Sequence, residues 1–515
     1  MTKQLITNTY EHELAYHFHN IDMRGLLIDT DQKELVRQQV DAELQDNCNF
    51  LSSLWGFPCY IGRENAPKEK TERLRSLNVN SPDQLLKRLK FLGYDVPKVR
   101  AKNEQTDQYE MEDSVGKLAL IKLLSDPNRW PSPNSGEGIK RLRDIKEVVT
   151  FERRYLNARL YKNIFYSSHG VTNTVTGRRG SKKNIYGLGG NDQNFPTRGR
   201  LAGAWKRCII ARKGRIFFFV DQISAEDWPV QALAANYAAL DLMRKGVNRH
   251  YIFASQIFNV QIDDLKFLRN EENVRKGLVT TAQQEDAETK YYLGKKSRHA
   301  NNYGLQAERM SESIAIETGK TFPKKSCQQI LTIVDGIDPN VKRVFHQYIQ
   351  GELFKPDHML RTPLGRERQF LGIRQGEKNY TILNEGYAYI PQSTVGDNTG
   401  LAVCSLEGCN DYIVQDGHDS LCQELPDKEQ ELLTTFKNTE KAFTRDITFH
   451  NGITINIPIE GAIGYNWRDK IKLKEYTEDC LIETYRKLKK EQRDIQEQQE
   501  NEIWDEIREQ EETNV

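Results

Sequence analysis

Apolar residues change their rhythm along this chain of 515 residues. Over roughly the first 160 positions they recur every three or four residues, as in Val36, Val40, Leu44, Cys48 and Leu51. That spacing keeps one side of a helix apolar. It predicts helices over Gln32–Leu51, over Ser81–Phe91 after a Ser-Pro start, and over Ile139–Leu160 with its many Arg and Lys. The stretch Pro131-Ser132-Pro133-Asn134-Ser135-Gly136 interrupts the pattern and predicts a loop. Residues 205 to 221 turn β-rich, and the continuous run Ile216-Phe217-Phe218-Phe219-Val220 predicts a strand buried on both faces. Helical spacing returns from Ala225 to about Gly376, and residues 380 to 470 mix strand and helix. Residues 261 to 290 are highly charged and read as an inserted surface loop or helix pair, or simply as a solvated spacer. From Lys470 to Glu512 there is neither Gly nor Pro, which predicts one extended helix.

Two aspartates about 200 residues apart stand where apolar strands meet turns. Asp221 follows the phenylalanine run, and Asp419 lies in Ile413-Val414-Gln415-Asp416-Gly417-His418-Asp419-Ser420-Leu421. Carboxylates at adjoining strand ends can share two Mg²⁺ ions, the arrangement that in-line nucleotidyl transfer needs. Taken singly, an aspartate in such a place is more often just the start of a turn. Between them lies Lys295-Lys296-Ser297-Arg298-His299-Ala300-Asn301-Asn302-Tyr303-Gly304, where Lys295, His299 and Tyr303 are spaced four apart and share a helix face. A cation, an imidazole and an aromatic ring suit a triphosphate at one end and a base or sugar at the other. A solvated basic helix anchored by Tyr303 would have the same spacing.

In this arrangement the chain resembles the family A DNA polymerases, the bacterial DNA polymerase I group. Their helix motif Arg-x3-Lys-x3-(Phe/Tyr)-x3-Tyr-Gly aligns on Lys295, His299, Tyr303 and Gly304. Asp221-Gln222-Ile223-Ser224-Ala225-Glu226 is similar to the first palm motif, and His418-Asp419-Ser420 to the third. Thr174-Val175-Thr176-Gly177-Arg178 resembles the Thr-x-Thr-Gly-Arg stretch, followed by Asn194-Phe195-Pro196. Thr362-Pro363-Leu364-Gly365-Arg366, Pro391-Gln392 and Gly464-Tyr465-Asn466-Trp467 fall at later stations. Met23-Arg24-Gly25-Leu26-Leu27-Ile28-Asp29 and Asn80-Ser81-Pro82-Asp83-Gln84-Leu85 resemble segments that open the family's polymerase region. Each match is weak alone; their shared order along nearly the whole chain is specific.

The resemblance implies an α+β right-hand polymerase, with an antiparallel palm sheet and helical fingers and thumb. It divides the chain into thumb and approach to the palm (1–165), first part of the palm (166–235), fingers (236–376), second part of the palm (377–469) and a charged helical extension (470–515). The implied activity is template-directed addition of dNTPs to a primer 3′ end. Asp221, Asp419 and the backbone carbonyl of Gln222 would hold two Mg²⁺ ions, for which Mn²⁺ can substitute. Lys295 and His250 would face the triphosphate, with His299 on the same helix face. Glu226 would pack beneath the sugar and exclude a 2′-hydroxyl, which disfavours a single-subunit RNA polymerase. Tyr303 would mark the insertion site, and Arg178, Gly304, Gln392 and His418 the primer–template contacts. The polymerase region starts within the first 30 residues, so no exonuclease domain is expected in the chain. Proofreading, or a processivity protein, would come from a partner, with the C-terminal extension and its Ile503 and Trp504 as a tether.

Four departures bear on that reading. Tyr291 stands where the helix motif has its first Arg, with Lys290, Lys296 or Arg298 as compensating cations. Trp228 replaces an Arg, Ser420 replaces the Glu of His-Asp-Glu, and His299 replaces Phe or Tyr. Such exchanges suggest a polymerase of a bacterial virus or mobile element. They also motivate the alternative of a catalytically weak relative serving as a DNA-binding scaffold subunit.

Composition alters this picture in one respect. A net charge of +1 looks unsuited to DNA until the last 25 residues are set aside. Those hold ten acids and two bases, so the remainder carries about +9. Eight cysteines form no Cys-x-x-Cys pair, and Cys404 and Cys409 read as ordinary thiols rather than zinc ligands. With no signal pattern and no membrane-length apolar run, a reducing cytoplasm is the expected setting.

Overall fold

The phenylalanine run forms the middle strand, Arg215–Gln222, of a five-stranded antiparallel sheet in the computed structural model. The model describes residues 6–62, 65–102, 109–174, 176–196, 200–373, 379–406 and 410–494. Across the sheet the order is Ile413–Asp416, Ser420–Pro426, Arg215–Gln222, Ile459–Gly464, Ile471–Lys472. Both faces of the middle strand are covered, which is why its apolar run is unbroken. Ile216, Phe218 and Val220 join one core with Tyr10, Leu14, Phe18 and Ile21 of the Ile6–Arg24 helix. Phe217 faces the other way, into a core with Trp205, Cys422 and Trp467.

Two helical bodies flank the sheet. The Thr30–Trp55 helix presents Val36, Val40 and Leu51 to the core and is capped by Asp29, whose side chain accepts from the amides of Asp31 and Gln32. Pro82–Phe91 is a helix as the spacing predicts, opening at Ser81 with Pro82 in its first turn, while the helix foreseen over Ile139–Leu160 runs from Gly136 to Phe151 and widens to a π-turn that ends at Leu156. On the other side Asp227–Leu233, Arg249–Phe258, Thr281–Asn302, Ala307–Thr318 and Lys324–Ile337 make a helical layer.

The helices of this layer are tied to one another through buried charge. Asp227 accepts from Arg249 at 2.7 Å and from Arg298 at 2.8 Å, while Arg249 also binds Asp338. Two acids and two guanidiniums are thus enclosed together with no net charge, and Gln231 donates to both acids. Burial opposes the charge on Asp227, but Arg298 and Arg249 outweigh it and hold the carboxyl far below the ordinary range.

Of the readings open for residues 261–290, the surface helix pair is the one found. The helices are Ile262–Arg269 and Glu271–Arg275, followed by the first turns of Thr281–Asn302; most of the segment is exposed, while Leu265 is buried against Ala254 and Ala287. One expectation is corrected: the segment after 470 does not begin as helix. Ile471–Lys472 pairs with Ala462–Ile463 as the last strand of the sheet, and helix starts only at 478. An open backbone edge on the Ile459–Gly464 strand outweighs local helix propensity there. Val175, Cys409 and residues 495–515, with Ile503 and Trp504, lie outside the described residues.

One buried imidazole ties three segments together. His169 Nδ1 lies 2.7 Å from Asp22 of the first helix, and Nε2 lies 3.3 Å from Asp192. Burial disfavours its charge, but Asp192 and Asp22 prevail and raise its pKa from 6.5 to about 10. A pKa raised on folding adds stability that is complete below the unfolded value and is lost as pH rises through the folded one. The melting temperature should therefore fall between about pH 6.5 and about pH 10, and His169→Gln should flatten that part of the curve. Parallel curves for the two proteins would show that the imidazolium is not the cause.

Candidate active site

The sheet register brings acids together that are far apart in the chain. Asp221 pairs with Ser420 on one neighbouring strand and with Glu460 on the other. Directly opposed residues point to the same side of a sheet, so the Glu460 carboxylate lies beside that of Asp221. Asp419 precedes Ser420 in the tight turn, and its carbonyl accepts the Gln222 amide at 2.9 Å. All three acids line one cleft of about 310 Å³, together with Gln222, Glu226, His250, Lys295 and His299.

The carboxylates oppose one another electrically. Burial, then the charges of Asp419 and Glu460, push Asp221 up to about 7, despite Lys470 and Lys295. Asp419 is also raised, chiefly by burial. Their countercharges come from both sides, Lys295 of the helix for both aspartates, Arg178 for Asp419, and Lys470 before the edge strand for Asp221. Lys472 lies 2.6 Å from Glu460, and Lys470 sits 3.7 Å over the Phe219 ring beside the site. A site of this kind favours any cation that can sit between the acids. The Gln222 side chain is engaged elsewhere, donating to Thr399 at 2.7 Å and accepting from Asn398 at 2.8 Å. Only its backbone is left to the cleft.

A second hollow of about 660 Å³ adjoins the first, sharing Glu226, Lys295 and His299 and adding Arg178, Tyr303 and Gln392. Lys295, His299 and Tyr303 therefore do share a face of one helix, Thr281–Asn302, with Tyr303 closing its end. Glu226 accepts from Arg178 on one oxygen and from Tyr303 on the other, and His299 Nδ1 stands 3.9 Å away. These contacts fix the Glu226 carboxylate between sheet and helix. The site's histidines are uncharged at neutral pH. Burial, then the charge of Arg298, pushes His299 down to about 4 and His250 lower still. Burial likewise brings His418 to about 4.

Not every predicted residue comes to the same place. Gly304 lies past Tyr303, against a separate hollow with Asn301 and Lys342. Its φ of 67° and the 2.8 Å from an added Cβ to Asn384 Oδ1 give a packing reason for glycine. The three compensating cations are already paired. Lys290 binds Asp286 at 2.6 Å, Lys296 binds Glu317 at 2.5 Å, and Arg298 is the buried partner of Asp227. Trp228 is buried, its Nε1 donating to the Ile223 carbonyl at 3.1 Å.

The most consequential residue that sequence reading missed is Arg179. It is 2% exposed and grips both oxygens of Asp416, at 2.6 and 2.7 Å. It also donates to the Gly396 carbonyl and, at 3.0 Å, to that of His418. The turn carrying His418 (φ 77°) and Asp419 is thereby fixed from beneath. Glu460, Lys470, Lys472 and Asn248 were missed as well, because nothing local marks them. Pairing with a known strand would have found Glu460. Burial pushes the Cys404 thiol up to about 12, and its Sγ lies within 4.8 Å of ligand atoms of His17 and Glu13, a grouping able to hold a metal ion.

No protein-family model matches the sequence, and no curated protein matches it. Among solved structures, one match is the POL domain of Pol1 from M. smegmatis in complex with DNA primer-template and dNTP. The TM-score is 0.66 at 15% identity, over 89% of this chain and 70% of that one. The chain has the fold of a DNA polymerase domain. Its five-stranded sheet is the palm sheet of that fold, and the cleft of acids lies at one end of it. The neighbour is a mycobacterial protein and lends no support to a viral source. Among the described residues no helix is long and apolar enough to cross a membrane.

Replacing Arg179 with Met should leave Asp416 as an unpaired buried carboxylate and cost about 3–5 kcal/mol. Urea unfolding measures this, and the double variant Arg179→Met/Asp416→Leu should recover much of the loss. A single variant as stable as the native chain would remove Arg179 from its place under the turn.

Proposed function

We propose that this protein is a template-directed DNA polymerase that extends a primer 3′ end with dNTPs by two-metal-ion nucleotidyl transfer. The observation that carries the reading is the meeting of Asp221, Asp419 and Glu460 at one sheet end, facing the helix side that bears Lys295, His299 and Tyr303. A DNA polymerase fold adds weight to it. Asp221, Asp419 and the Gln222 carbonyl are the residues to hold Mg²⁺, with Glu460 as a further acid in place of the one that Ser420 lacks. Bound there, the ions supply activation of the primer hydroxyl and charge stabilisation of the departing pyrophosphate.

The remaining roles belong to the chain. Lys295 offsets triphosphate charge, and neutral His250 offers a hydrogen bond without adding any. Glu226, held on both oxygens, is a rigid floor beneath the sugar. Tyr303 donates to that floor and takes the insertion side of the helix, next to His299. Arg178, Gln392 and His418 reach the minor-groove edge of the nascent pair, where every correct pair offers acceptors. Within this reading residues 1–165 are the thumb and its approach, 166–235 and 377–469 the palm, and 236–376 the fingers. A role in viral or mobile-element replication rests on the exchanges at Tyr291, Trp228, Ser420 and His299 alone.

Primer extension on a short template with Mg²⁺ and dNTPs is the direct test. The native chain should extend, while Asp221→Ala and Asp419→Ala should lose about 10³-fold or more in rate and still bind duplex. Duplex binding without extension by the native chain would favour the scaffold alternative.

Glu226→Ala should raise incorporation of rNTPs relative to dNTPs by about tenfold or more, since it opens space beneath the sugar. Competition between the two substrates on one template measures this. An unchanged ratio would take the sugar gate away from Glu226.

A further inference from the structure

The charged segment 261–290 meets a lining residue of the proposed nucleotide cleft through Arg269. Arg269, the last residue of the Ile262–Arg269 helix, places its guanidinium carbon 3.5 Å over the ring of Tyr291. It is held there by Glu288, at 2.9 and 3.0 Å to the two oxygens, and by the Tyr251 hydroxyl. Tyr251 and His250 pack against the same ring, with centroids 4.8 and 5.6 Å away. Tyr291 is thus clamped, and it lines the cleft that holds Asp221 and Asp419.

The polarity of its hydroxyl follows from Asn248. The Asn248 side-chain oxygen accepts the His250 amide at 3.0 Å, capping the Arg249–Phe258 helix. Its amide nitrogen must then face Tyr291, to whose hydroxyl it donates at 3.0 Å. Tyr291 accepts that bond, so its own hydrogen is directed to another acceptor. Lys295 follows one helical turn later on the same face and lines the same cleft. The phenol and the ammonium are therefore carried by positions about 6 Å apart along one helix face, a spacing on the scale of a triphosphate. A cation over the ring face draws density from the phenol and strengthens the O–H as a donor.

We propose that Tyr291 donates a hydrogen bond to a phosphate oxygen of the incoming nucleotide, and that Arg269 of the inserted segment is the positioning residue that holds and polarises it. This rests on the polymerase reading and deepens it. A charged ligand is recognised at that station by a neutral donor with its cation one ring behind, rather than by a cation in direct contact.

The test uses the full chain with a chain-terminated primer–template, titrating the next complementary dNTP, alongside single-nucleotide kinetics on an extendable primer. Tyr291→Phe keeps the ring and the stacked guanidinium. It should weaken dNTP binding and raise KM by about tenfold, the size of one hydrogen bond to a charged oxygen, with kcat within about twofold. Arg269→Met should weaken binding by a smaller factor, Arg269→Lys should restore part of it, and the double variant Arg269→Met/Tyr291→Phe should bind no worse than Tyr291→Phe alone. Tyr291→Phe with native affinity in an enzyme that extends would overturn the proposal and leave the polymerase reading intact. Additive losses in the double variant would overturn the part assigned to Arg269. A native chain that neither extends nor binds dNTP would overturn both readings.

Discussion

The Arg179 guanidinium, enclosed by protein and gripping Asp416 with two nitrogens, decides where the second aspartate of the site can stand. Its remaining donors reach the carbonyls of Gly396 and His418, so a single planar group joins the long Tyr380–Ser405 helix to the turn at the sheet end. A buried ion pair gains little net stability after desolvation. What this one provides is geometry. The turn holds His418 at positive φ and leads Asp419 to the Gln222 amide, and that bond sets the two catalytic candidates side by side.

Bringing like charges together has a cost that the surroundings are arranged to meet. Asp221 is driven up to about 7 by burial and by the acids beside it, and the largest relief comes from Lys470, just before the edge strand. The edge strand after residue 470 therefore matters to the site and not only to the sheet. On the opposite side the quartet of Asp227, Arg249, Arg298 and Asp338 closes on itself without net charge. Arg298 is thereby committed to structure, while Lys295, one turn earlier on the helix, lines the cleft together with Lys472.

Features set by neighbours in sequence were legible from the chain alone. The helices beginning at Ser81 and running from Thr30 to Trp55 follow from apolar spacing and caps within a few residues. Asp221, Lys295, His299 and Tyr303 could be read because a strand end and a helix face each impose a fixed period. Glu460 could not, since nothing near it marks it; only the register of Ile459–Gly464 against the middle strand puts it beside Asp221. The helix foreseen from Lys470 failed for a related reason. Local propensity favoured helix there, but the unpaired edge of a strand was within reach.

The pattern of apolar positions by itself determined the helices, the buried middle strand and the presence of two acids at strand–turn junctions, because these depend on contacts between near neighbours and on the periods of helix and strand. Tertiary structure alone decided which charges meet. A carboxylate's strength, a guanidinium's partner and the occupant of Tyr291's ring face depend on distances of a few ångströms across segments tens to hundreds of residues apart. Electrostatic and stacking forces act over those distances, and sequence spacing carries no record of them.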